Sequence, residues 1–110
     1  MRTLPKTEAF EAFYCSLPQA VQQKMDYALT VLSQIKVVNQ KFVKKLRNSD
    51  FYELRLSVEL EYRILLYPID HENVIEATEV LLMNGFIKKS NKDYKPAIKE
   101  AETILKNLSV

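Results

Sequence analysis

From Phe51 to Tyr67 the chain alternates apolar and polar residues with a period of two. Tyr52, Leu54 and Leu56 are interleaved with Glu53, Arg55 and Ser57, and Leu60, Tyr62, Ile64 and Leu66 enclose Glu61 and Arg63. Such alternation predicts two strands, each with one buried face. Even-numbered residues form that face in both strands, so facing residues must have numbers with an even sum. A loop centred on Glu59 satisfies this and sets Arg55 directly across from Arg63, on the face away from the core. Like charges directly opposite each other cost up to ~1 kcal/mol in a sheet. Two readings of the pair stay open. Either an anion is gripped between two flat guanidinium forks, which suit phosphate, or each arginine pairs with a nearby carboxylate, Glu53 or Glu61.

Elsewhere the period lengthens. Thr7 can cap a short helix in which Phe10, Phe13, Tyr14 and Leu17 share one face. Ser16 and Gln19 have the spacing of a capping box for a second helix, with Pro18 in its first turn and Val21, Met25, Ala28, Leu32 and Ile35 as the buried stripe. So tight a connection predicts a helical hairpin covering one face of the sheet. Val37 to Asp50 reads as a turn and a short extended piece, closed by the turn signal Asn48-Ser49-Asp50. Pro68 to Glu72 is a loop. Asn73 to Met83 has the β-branched content of a strand, ending at Gly85, the one glycine of the chain, where a bulge or a positive φ is expected. Asp93 can cap a last helix with Pro96 in its first turn and Ile98, Ala101, Ile104, Leu105 and Leu108 as its stripe. Together these predict an α+β fold, an N-terminal helical hairpin packed on a small antiparallel sheet with a C-terminal helix. There are no repeats and no linker, so residues 1–110 form a single domain.

With 110 residues, 47% of them apolar, the chain can bury one sizeable core. No apolar run is long enough to span a bilayer, and the segment MRTLPKTEAF lacks the apolar centre of a secretory signal. Cys15 is the only cysteine; an internal disulfide is excluded and a reducing cytoplasm is the natural setting. It has no basic or histidine neighbour in sequence and reads as inert. His71 is the only histidine, in a polar loop without a second ligand, so neither a metal nor another cofactor is expected. The net charge of +2 hides an uneven distribution. Lys36, Lys41, Lys44, Lys45, Arg47, Arg55 and Arg63 form one basic cluster; Lys88, Lys89, Lys92, Lys95 and Lys99 form another. Folded together they would make a surface that attracts a polyanion such as nucleic acid; taken singly, each lysine is ordinary solvated surface.

No nucleophile–base constellation and no phosphate-binding glycine loop occurs. Cleaving RNA with the 2′-hydroxyl as nucleophile needs only its alignment, cations around the phosphorane and proton transfer at both ends. Arginine and lysine supply the charge, and a Tyr, Lys or Glu of shifted pKa can move protons.

The order Lys44-Lys45-Leu46, Tyr52-Glu53-Leu54-Arg55, Glu61-Tyr62-Arg63-Ile64-Leu65, Asn84-Gly85-Phe86-Ile87-Lys88-Lys89 and Ile98 to Ala101, after a helical hairpin, resembles the HigB-like, phage-derived-protein-like branch of the RelE/ParE toxin superfamily, from about Phe10 to Leu108. The resemblance implies the toxin of a bacterial toxin–antitoxin pair that enters the ribosome and cuts mRNA, a metal-independent endoribonuclease or mRNA interferase. Its implied partners are the ribosome, mRNA and a cognate antitoxin, often a helix-turn-helix protein. Arg55, Arg63, Lys88 and Lys89 would then be the catalytic residues, and Lys44, Lys45, Lys92 and Tyr94 would bind RNA. Tyr94 can stack on a base or pass a proton; it can equally be a packing residue of the helix start. Two departures stand out. The family opens with a strand, for which only Met1–Lys6, broken by Pro5, is available; and Asp93-Tyr94 occupies the place of the Thr-Pro that often precedes the last helix. The same fold also serves gyrase-inhibiting, ParE-like toxins, and a module keeping only the antitoxin interface would share it, so fold leaves these alternatives open.

Overall fold

The computed structural model describes residues 1–36 and 38–108; Val37, the first residue of the predicted turn-and-extended segment, and the last two residues of the domain lie outside the described residues. In chain order the elements are α1 (Glu8–Cys15), α2 (Gln19–Gln34), β1 (Val43–Lys45), β2 (Tyr52–Val58), β3 (Leu60–Pro68), β4 (Val80–Lys88), a 3-10 turn (Asn91–Asp93) and α3 (Tyr94–Leu108). The strands form one antiparallel sheet in the order β1-β2-β3-β4. No helix among the described residues is long and apolar enough to cross a membrane. The α+β arrangement and the hairpin register are those expected: Glu59 turns the chain with φ 64, and Arg55 pairs with Arg63.

The sheet is covered on both faces. On one, α1 and α2 bury Phe10, Met25 and Leu32 against Leu54, Ile64, Leu66 and Leu82. On the other, Ala97 and Ala101 of α3 pack on Leu65 and Met83, with Leu46 and Phe51 beside them. The odd-numbered face is therefore not open, as the alternation implied. Leu65, an odd-numbered apolar residue, is the sign of this: residues 62–66 of β3 are buried without a break, as in a strand with two covered faces. Leu60, expected in the core, is half exposed at the hairpin end.

Several local expectations change in detail. Thr7 caps α1, its hydroxyl accepting from the Phe10 amide at 3.0 Å. Ser16 makes no capping box with Gln19. Its hydroxyl donates to the Phe13 carbonyl at 2.6 Å, closing α1, and the N-cap of α2 is Pro18, without a side-chain bond. Asp93 is not the N-cap of α3. Ser90 caps the preceding 3-10 turn, while the Asp93 carboxylate accepts from the amides of Lys89 and Ser90 at 2.6 and 3.0 Å. Residues 73–79 are turn and bend with one bridge at Glu79, and the strand runs on through Gly85 to Lys88. The N-terminal segment lies along β4 through parallel bridges at Thr3 and Lys6. It is not a strand, because Pro5 between them has no amide to donate. Arg2 anchors it: the buried guanidinium donates to the carbonyls of Leu32 and Ile35 at the end of α2 and to those of Val74 and Ile75.

Gly85 has no positive φ, and the bulge lies two residues earlier, at Met83, where Leu65 pairs with Asn84 but Leu66 with Leu82. The glycine serves a close approach instead. A Cβ there would overlap the Phe13 ring of α1 and lie 2.8 Å from Ile64 Cδ1. Gly85→Ala is therefore expected to cost about 1–3 kcal/mol by overpacking. Combined with Phe13→Ala it should cost less than the sum of the two single changes, because the added methyl enters the space the ring leaves. Urea unfolding of the four proteins measures that coupling, and additive costs would show that the ring is not the obstacle.

Candidate functional site

Residues two apart on a strand share a face, so Glu53 and Arg55 of β2 lie beside Arg63 of β3 on the side covered by α3. A single carboxylate oxygen collects the cluster. Glu53 Oε1 accepts from Arg55 Nε at 3.1 Å and from the Tyr94 hydroxyl at 2.8 Å, and lies 3.0 Å from Arg63 Nε. Arg63 Nε donates to the Tyr94 hydroxyl at 3.3 Å, Nη1 to the Tyr62 carbonyl at 3.0 Å and Nη2 to Glu61 Oε1 at 3.2 Å. Of the two readings of the arginine pair, this is the carboxylate pairing. The side chains of Glu53 and Arg63 are 2% and 6% exposed; that of Arg55 is 34% exposed. The two arginines are thus unequal, one enclosed and one at the surface.

Burial pushes the Tyr94 phenol above its ordinary value, and the neighbouring Glu53 carboxylate pushes it further, while Arg63 opposes. Tyr94 accordingly keeps its proton at neutral pH and acts as a donor. For Arg63, burial alone favours loss of the proton; the bonds to Tyr94 and Glu61 and the charge of Glu53 outweigh it and raise its pKa. The bond from Ser57 and that from Arg63 hold the Glu61 carboxyl below its usual range.

Above this network opens a cleft of about 410 Å³, lined by Lys44, Lys45, Leu46, Arg47, Glu53, Arg55, Lys88, Asn91, Tyr94 and Ile98. Its apolar walls are Leu46, Ile98 and the Tyr94 ring, and cations border it against the single carboxylate of Glu53. Lys88 Nζ stands 5.5 Å from the centre of the Tyr94 ring, which in turn meets Phe86 edge-on. A larger hollow of about 600 Å³ lies by the loop at residues 68–72. It holds Asp50, Asp70 and Glu72 against Lys45, so it suits an anion less well. Among the described residues no group of His, Cys, Asp and Glu is placed to hold a metal ion.

Of the residues singled out in the sequence, Arg55, Arg63, Lys44, Lys88 and Tyr94 come together. Lys45 borders the cleft, but its amino group donates to the Ser49 carbonyl and stands over the Tyr52 ring, away from the arginines. Lys89 and Lys92 are exposed on the following turn and do not line the cleft. Arg47, Leu46 and Ile98 were noted in the sequence but given no place in the site, and Asn91 was not noted. Arg47 could have been given one, as it continues the run Lys44-Lys45; nothing in sequence marks Asn91.

The sheet and its flanking helices have a RelE-like α+β fold. The protein is similar to a chain in the crystal structure of the intact E. coli RelBE toxin–antitoxin complex, with a TM-score of 0.62 and 19% identity over 82% of this chain and 100% of that one. It is also similar to the isolated E. coli RelE toxin, at 0.60 and 22% over 90% and 97%. The free state of a doubly arginine-substituted RelE mutant matches at 0.61 and 21% over 89% and 95%. No curated protein matches the sequence. Residues 12–106 match the family described as Phage derived protein Gp49-like (DUF891), and the chain belongs to that family.

Because Arg63 is enclosed, Arg63→Gln takes one of three donors from the buried Glu53 Oε1 and removes the bonds to the Tyr94 hydroxyl and to Glu61. Relief of repulsion from Arg55 returns at most ~1 kcal/mol, whereas breaking a buried, hydrogen-bonded ion pair costs roughly 2–4 kcal/mol. Urea unfolding in phosphate-free buffer should show a clear net loss; unchanged stability would mean that the pair contributes nothing.

Asp93 supplies a pH test. The amides of Lys89 and Ser90, and then the charges of Lys89 and Lys88, hold its carboxyl below the ordinary 3.8. A depressed folded pKa stabilises fully above the unfolded value and is lost as pH falls through the folded one. The stability gap between the protein and Asp93→Ala should therefore be steady near neutrality and narrow below 3.8. A gap that widens in acid would contradict this.

Proposed function

We propose that this protein is the toxin of a bacterial toxin–antitoxin pair, of HigB-like type, acting in the cytoplasm as a metal-independent endoribonuclease on mRNA held in the ribosome. The observation that carries this is the cation-bordered cleft set over the Glu53–Arg63–Tyr94 network. Arg55, Lys44 and Lys88 surround a space with an apolar wall, which suits a phosphodiester with its attached bases. Support also comes from the RelE-type fold, seen with its antitoxin in the RelBE complex. The partner proposed for this chain is likewise an antitoxin, of helix-turn-helix type.

In such a reaction the 2′-hydroxyl attacks the adjacent phosphorus and gives up its proton to solvent, a 2′,3′-cyclic phosphate closes, and the 5′-oxygen leaves as a hydroxyl with a proton taken from solvent. Arg55, with Lys44 and Lys88, gathers the charge that builds on the non-bridging oxygens. Tyr94, whose one proton is donated to Glu53 and whose hydroxyl accepts from Arg63, gives the cleft a fixed aromatic floor. Lys45, Lys89 and Lys92, further out, steer the RNA backbone through long-range charge.

The test is brief induction of the protein beside two copies of one mRNA, one with its start codon removed. New 5′ ends are expected on the translated copy alone, and Arg55→Ala should abolish them with little loss of stability. Equal cutting of both copies would remove the ribosome from the mechanism. Intact RNA with trapped DNA breaks would point to a gyrase-directed toxin, and unimpaired growth to an inactive module.

A further inference from the structure

The two arginines differ in what the protein leaves unused. All three guanidinium nitrogens of Arg63 are occupied, by Tyr94, Tyr62 and Glu61. The Arg55 side chain makes one contact among the described residues, from Nε to Glu53 Oε1. Among the described residues its two terminal nitrogens have no hydrogen-bond partner, and the side chain is one-third exposed on the wall of the cleft. A guanidinium held by Nε has little freedom left, and its opposite edge is a flat fork matched to two oxygens of one phosphate. Glu53 itself cannot drift, being buried and fixed by Tyr94 at 2.8 Å.

We propose that Glu53 is a positioning residue, whose Oε1 pins Nε of Arg55 so that the terminal nitrogens of Arg55 present a ready-made fork to a single phosphate, while Arg63 serves as structural support. This rests on the anion-binding reading of the cleft and separates the roles of two arginines that face each other in the sheet. Holding the fork in advance saves the ordering of a long side chain on binding, so position rather than net charge sets affinity. The consequence runs against simple electrostatics. Removing the Glu53 carboxylate makes the cleft more positive, yet it should weaken anion binding, because Arg55 loses its anchor.

The test uses the full chain labelled with ¹⁵N, with inorganic phosphate as the probe and a 2′-deoxy-substituted, uncleavable RNA oligonucleotide as a second. Guanidinium resonances of Arg55 and Arg63 are assigned from Arg55→Lys and Arg63→Lys. Phosphate is expected to shift and slow the terminal nitrogens of Arg55 and to leave those of Arg63 in place. Glu53→Gln, which keeps an acceptor for Nε, should retain phosphate affinity within a few-fold; Glu53→Ala should lose about tenfold, a factor worth 1.4 kcal/mol. Tighter binding by Glu53→Ala would show Glu53 to be a competing anion and would overturn the proposal. So would phosphate shifts centred on Arg63, or on neither arginine. Where Glu53→Ala does not fold, the response of the two arginines in the unaltered protein decides alone. None of these readings uses cleavage. A protein that binds phosphate at Arg55 but cuts no translated mRNA would overturn the proposed function and leave the role of Glu53 standing.

Discussion

One oxygen, Glu53 Oε1, lies within 3.1 Å of donors on β2, β3 and α3. Without it the register of the hairpin would be a liability. Like charges directly opposite each other cost up to ~1 kcal/mol in a sheet, and β2 and β3 set Arg55 against Arg63. A carboxylate between them turns that repulsion into attraction for both. Its third bond, from the Tyr94 hydroxyl, carries the interaction to the first residue of α3. The ion cluster thereby ties the sheet to its last helix, and the same contacts set the floor of the cleft.

That tie requires α3 to lie close over the sheet, and β4 arranges this with two irregular residues. The bulge lets Met83 and Asn84 both serve the α3 side: Met83 packs with Ala97 and Ala101, and the Asn84 amide donates to the Ala97 carbonyl at 3.1 Å. One position on, Gly85 faces the other way and admits the Phe13 ring. The shift in register therefore keeps Phe86 and Lys88 on the cleft side, opposite Arg63 and Glu61. Regular pairing would have moved them to the α1 face, since a one-residue slip exchanges the faces of a strand. The cleft and the helical hairpin are in this way built from the same nine residues of β4.

The parts of this design legible in the sequence are those with short-range causes. Period-two alternation and its parity predicted the facing arginines, and helical spacing placed the stripes of α1, α2 and α3, except for Leu108, which is exposed at the end of α3. The second cover of the sheet was not legible, because it depends on Leu65 and Met83 meeting Ala97 and Ala101, pairs far apart in sequence. That hidden contact also encloses Arg63 against Glu53 and Tyr94, since α3 covers the odd-numbered face. Thr7 capped as expected, and the other two caps failed for a different reason. Ser16 and Asp93 each had a local role on offer, but the carbonyl of Phe13 at the end of α1 and the amides at Lys89 and Ser90 lay within equal reach. Gly85 was noticed for its rarity and assigned the commoner cause, backbone freedom, when its cause was the ring of a distant helix.

Arg2 supplies a control for the argument about charge. It is as buried as Arg63, yet it bonds only carbonyl oxygens and no carboxylate, and burial lowers its pKa where that of Arg63 is raised. A buried arginine can thus be a pure structural tie, satisfied by the exposed carbonyls of a helix end. Burial in itself is no mark of an anion site, and by that criterion Arg63 belongs nearer to Arg2 than to Arg55. What marks Arg55 is the opposite property. It is anchored at one nitrogen, open at the other two, and stands beside Lys44 and Lys88 with only one buried carboxylate to share among them. The excess of positive charge in the cleft is therefore concentrated on the arginine that the fold leaves unfinished.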